Sequence, residues 1–170
     1  MIRPSVLLAS GALALFAAGA LAQSAAFDVR AAMQQRVNPA MLEIWDVSNN
    51  ALDDEGAIDP AQMDEAKWTA IAEAADRLAA ASRDMAAAEA FIAAAPDNSE
   101  VDEGEITMAA VQKHLDRDPA AFRQMARALA EHADHIALAA RARDAVAAGD
   151  MIGGTDAFCE ACHAVFWYPE

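Results

Sequence analysis

Apolar side chains along this chain recur at steps of three and four, the spacing of a helical face, and give no strand candidate with a step of two. Four helical segments are predicted. The first runs from about Ala26 to Asn50 and carries Val29, Met33, Val37, Ala40, Met41 and Ile44 on one side. Pro39 lies within it. A proline lacks the amide hydrogen and crowds the preceding turn, so the helix is expected to kink or divide near Val37. Ala51 to Asp59 is predicted to be an acidic loop containing Gly56. A second helix is expected from an Asp59 cap with Pro60 at the first helical position. Its seam is Ile71, Ala74, Leu78, Ala81, Met85, Ala88 and Ile92, ending near Ala95 before Pro96.

Asp97 to Glu105 is a second acidic loop. It fails as a calcium loop, because placing Gly104 at the turn puts Ser99, Val101 and Glu103 at the first ligand positions. Ile106 to Leu115 is expected to be a short extra helix. The third main helix opens with Asp118-Pro119 and carries Phe122, Met125, Leu129, Ala133, Ile136 and Ala140. The fourth starts near Asp144 and sets Phe158, Cys159, Cys162, His163 and Phe166 on one face, with Gly149, Gly153 and Gly154 weakening its first turns. Short connections make neighbours antiparallel, so the predicted fold is all-α, an up-down-up-down four-helix bundle.

Residues 1–22 have the form of a cleaved secretory signal: Arg3, an apolar stretch from Val6 to Phe16, and Ala20-Leu21-Ala22 before Gln23. A retained anchor fits less well, since the apolar run is short for a span and lacks a charged stop. Residues 23–170 are then one domain, with no further stretch able to cross a membrane. The chain carries a formal net charge of −15, and loss of the leader with Arg3 makes it one unit more negative. That excess argues against nucleic acid and anionic membrane surfaces. It suits either a basic docking partner or simply a solvated surface.

The two cysteines of the chain are both spent on Cys159-Glu160-Ala161-Cys162-His163. C-x-x-C-H is the attachment pattern of a c-type haem: two thiols add to the porphyrin vinyl groups, and the histidine offers its imidazole to the iron. A thioredoxin-like site needs a βαβ setting and a stabilised thiolate. Structural zinc needs four ligands in a closed shell. A plain disulfide leaves His163 without a role. Export agrees with haem attachment after translocation, and places the protein in the bacterial periplasm.

A signal peptide, four bundle-type helices and C-x-x-C-H on the last of them resemble the class II c-type cytochromes, cytochrome c-prime and its low-spin relatives. The resemblance covers most of residues 23–170. It implies one covalent haem buried in the bundle, with His163 as proximal ligand and the first helix on the distal side. In low-spin members a methionine of that helix is the sixth ligand. Met33, ahead of Asn38-Pro39-Ala40, matches that place, with Met41 the second candidate; the other reading makes both core filler. Family members often form homodimers through the first two helices. The family's usual basic residue four positions after the haem histidine is here Trp167.

His132 and His135, three residues apart on the third helix, are expected at surface or edge positions, and His114 has no partner by sequence. Trp45 and Trp68 are expected in the core; the second reading places them in the haem-pocket lining. With both axial positions filled, the expected function is electron transfer with redox partner proteins rather than enzymatic turnover. If Met33 points elsewhere, the alternative is a five-coordinate protein that binds NO or CO. Peroxide turnover would need a distal acid–base group, and the first helix offers only Arg30 and Arg36, off the Met33 stripe.

Overall fold

The computed structural model describes residues 26–168; the expected leader and its cleavage site lie outside the described residues. The fold is all-α, with 74% of the described residues helical and little strand. Helix α1 covers 29–49, as Val29–Ala32, a π-helical turn Met33–Val37 and Asn38–Asn49. It is followed by α2 (Glu65–Ala87), α3 (Met108–Arg117), α4 (Pro119–Ala142) and α5 (Ala145–Phe166). No helix among the described residues is long and apolar enough to cross a membrane.

Each helix begins on a side-chain oxygen that accepts an orphan amide of the first turn. Asp28 accepts from Ala31 N, Asp64 from Lys67 N, Thr107 from Ala110 N, Asp118 from Ala121 N and Asp144 from Ala147 N. The glycines of α5 do not interrupt it. Arg143, at φ 55°, supplies the left-handed residue that ends α4 and turns the chain into α5.

Helices α2 and α4 make the most extensive contact, followed by α1 with α2 and α4 with α5. The small side chains explain the first: Ala74, Ala75, Ala79 and Ala81 of α2 and Ala133, Ala137 and Ala140 of α4 are buried and let the two backbones approach. Ile44, Ile71, Leu78, Met85, Leu115 and Ile136 are fully buried and fill the remaining space. Arginine–carboxylate pairs join α1 to α2 (Arg36–Asp84, Arg77–Glu43) and α2 to α4 (Arg83–Asp134, Arg141–Asp76). All are solvent-exposed, so each contributes at most about 1 kcal/mol.

Three expectations are corrected. The Asp59 cap opens only a 3₁₀ turn, Pro60–Gln62; Met63 is extended at φ −99° and ψ 105°, and α2 starts on the second cap, Asp64. Helix α2 ends at Ala87 rather than Ala95, and residues 88–95 leave the helical path. Their carbonyls are taken by a distant side chain. Arg123 donates from Nε to Ala88 O at 2.8 Å and from its guanidinium to Glu89 O at 2.7 Å, and it lies 5.0 Å from the Phe91 ring centre. A short parallel strand pair also forms, β1 (Phe27–Asp28) with β2 (Phe91–Ile92), where helix or coil was expected. Gln112 of α3 grips β2 through Ala93 N (2.7 Å) and Phe91 O (3.2 Å).

Candidate functional site

Pro39 leaves α1 continuous but changes its register. Asn38 N donates to Met33 O, five residues back, and the helix widens into the π turn just ahead of the proline. A π turn absorbs one extra residue. In a regular α-helix, positions eight apart differ in direction by about 80°, and positions seven apart by about 20°. The π turn therefore swings Met33 round to the side of Met41. Such turns are frequent at functional sites.

Both methionines face the same cavity, of about 310 Å³. Helix α1 lines it with Met33, Val37, Met41 and Trp45; α2 adds Met85; α4 adds Phe122, Met125 and Leu129. Helix α5 closes it with Phe158, Cys159, Cys162 and His163. All four residues singled out by sequence, Met33, Cys159, Cys162 and His163, thus meet at one site, and all are half-buried. The size is within the range of small-molecule and cofactor pockets, and the lining is apolar with few polar groups. Such a lining suits a flat hydrophobic group.

No protein-family model, no curated protein and no solved structure matches this chain.

The electrostatics of the motif disfavour thiolate chemistry. Burial pushes the Cys159 thiol up, and Asp156 and Glu160 push it further. Burial, then the neighbouring Cys159, raises Cys162 to about 11. Redox-active cysteines need the opposite, a lowered pKa in electropositive surroundings. Among the described residues no group of three or more His, Cys, Asp or Glu side chains converges as a bare metal ion would require. Burial also lowers the His163 pKa against the opposing pull of Glu160, which keeps the imidazole neutral and able to ligate. Tyr168 Oη lies 3.5 Å from His163 Nδ1, and the Trp167 ring centre 6.3 Å from that of His163. The aromatic residues after the motif therefore stand against its histidine.

His132 corrects the expectation of an edge position: it is buried, while His135 is exposed. Its Nε2 lies 2.8 Å from Met151 O and 3.1 Å from Thr155 Oγ1, both on α5. The carbonyl can only accept, so Nε2 carries the hydrogen. The ring stacks at 4.3 Å on Phe158, a wall of the cavity. Thr155, a hydrogen-bonding side chain in an alanine-rich helix, was the available signal. Trp68 is buried as expected, and Trp45 is half-buried in the cavity wall.

Burial lowers the His132 pKa, with the Met151 carbonyl opposing and His135 reinforcing. The unfolded side chain titrates near its ordinary value, about 6.5. Below that value the unfolded chain binds more protons than the folded one, so this contribution to stability is full above it and is lost as pH falls. Urea midpoints should accordingly drop more between about pH 7 and about pH 5 in the native protein than in His132→Gln. Parallel pH dependences would show that His132 is not the buried neutral group described.

Proposed function

We propose that the protein is a periplasmic c-type cytochrome, an electron-transfer protein whose single covalent haem occupies this cavity. One observation carries the reading: Cys159, Cys162 and His163 on the α5 wall and Met33 on the α1 wall of the same apolar cavity. Cys159 and Cys162 would hold the macrocycle through thioethers, His163 would ligate the iron, and Met33 would be the sixth ligand. The haem supplies a one-electron ferric/ferrous couple. The chain's own part is to exclude water with Val37, Phe122, Leu129 and Phe158, and to supply a neutral imidazole. A methionine sulfur favours the reduced state. Neither an arginine nor a histidine other than His163 is among the cavity-lining residues, which supports electron transfer over peroxide turnover.

We assign the scaffold as an antiparallel, up-down-up-down bundle of α1, α2, α4 and α5. Residue pairs support this. Moving from Arg36 to Glu43 on α1 goes with moving back from Asp84 to Arg77 on α2. Moving from Asp76 to Arg83 on α2 goes with moving back from Arg141 to Asp134 on α4. From α4 to α5, Phe122 meets Phe166 and His132 meets Thr155.

The test is the visible spectrum of the exported protein, ferric and ferrous, with and without carbon monoxide. The native protein and Met41→Leu should be low-spin and unresponsive, and Met33→Leu should become high-spin in the ferric state and bind carbon monoxide when reduced. A native protein that binds carbon monoxide at once would transfer the assignment to a five-coordinate, NO- or CO-binding protein.

A further inference from the structure

Basic residues are absent from two stretches of the chain. Residues 37–66 hold eight Asp and Glu and no Lys or Arg; residues 144–168 hold four and none. The fold brings these stretches together. Between the segment after α1 and the first half of α5 lies a groove of about 420 Å³. Leu52, Ile58, Val146 and Ile152 give it apolar walls, and Leu52 and Val146 remain exposed. Glu55, Asp150 and Asp156 also line it, all exposed. On the faces between α1 and α2 and between α2 and α4, by contrast, Asp84, Asp76 and Asp134 are paired with arginines. Among the described residues no ion pair includes Glu55, Asp150 or Asp156. Their field is therefore uncompensated and attracts cations. Trp45 lines both this groove and the cavity of Cys159 and His163, so the groove is next door to the proposed haem.

We infer that this groove is the docking surface for a redox partner protein with a lysine- or arginine-rich contact face. An apolar centre with a charged rim is the anatomy of a transient interface, and opposite charge supplies steering and orientation. A second copy of this chain would bring the same negative charge to the groove and is disfavoured. The inference rests on the cytochrome reading.

The test uses the exported holoprotein in its reduced state and a lysine-rich class I cytochrome c as probe. Binding is followed at low ionic strength by amide chemical shifts. Shifts should cluster in residues 45–58 and 145–160. The triple variant Glu55→Lys, Asp150→Lys, Asp156→Lys should weaken binding about tenfold, against under about twofold for Asp97→Lys, Asp102→Lys, Glu103→Lys in the other acidic loop. Gly153→Phe, at an exposed position where a Cβ meets nothing within 4 Å, fills the groove without changing charge and should weaken binding about threefold or more. Equal losses from the two triples, shifts centred elsewhere, or no binding would overturn the inference. So would groove shifts that depend on protein concentration without the probe, which would mean self-association. Covalent haem and reversible reduction, checked on the same sample, report on the cytochrome reading separately, because the groove can fail while both are intact.

Discussion

Replacing both Cys159 and Cys162 by alanine is expected to abolish covalent haem attachment completely. The two thiols stand on one face of α5 and open into the same cavity, and burial keeps them protonated. The chain has no other cysteine, so no second site can substitute. Any haem that still enters would be held only by His163, Met33 and apolar contact, and acidified organic solvent should extract it. The fold should survive the substitution, because both side chains are only partly buried and alanine suits a helix. Circular dichroism of the variant would establish helical content, and extraction would establish attachment. Haem that resists extraction from this variant would contradict the assigned role of the motif.

The largest loss of stability from a single substitution is expected at Phe122. It is 3% exposed, and its ring meets Phe91 edge-on at 4.8 Å and Phe166 at 5.2 Å. It thereby ties β2, α4 and the end of the haem-motif helix into one joint, and it also lines the cavity. Phe122→Ala removes these contacts and enlarges the cavity, at an expected cost of about 3–5 kcal/mol. In a domain of this size that corresponds to a fall in Tm of about 10 °C. The comparison is Leu138→Ala, at a residue 60% exposed, which should stay within about 0.5 kcal/mol of the native protein. Similar thermal midpoints for the two variants would remove Phe122 from this structural role.

What was legible in the sequence was local. Asp118-Pro119 announced α4, Asp144 announced α5, and the three- and four-residue spacing of Ile71, Ala74, Leu78, Ala81 and Met85 announced the buried side of α2. The motif residues were identified by chemistry and spacing. The misread places depended on partners far along the chain. An alanine-rich run through Ala88 reads as helix, yet Arg123, 35 residues away, holds its carbonyl in another conformation. Asp59-Pro60 and Asp64 give nearly the same capping signal, and only the extended Met63 between them decides which one opens the long helix. His132 was expected at a surface or edge position because histidine is usually found there and nothing near it in sequence marks a partner. Its burial is set by Thr155 and Met151 on α5. Pro39 signalled a disturbance, but that the disturbance is a π turn bringing Met33 round toward Met41 became visible only in the backbone.

The central claim, that this cavity holds one covalently attached haem, is tested most directly by the intact mass of the exported protein under denaturing conditions. A chain beginning at Gln23 is expected, with a mass that exceeds that of the polypeptide by one haem and with no thiol left to alkylate. A chain of bare polypeptide mass, with Cys159 and Cys162 free or joined to each other, would contradict it.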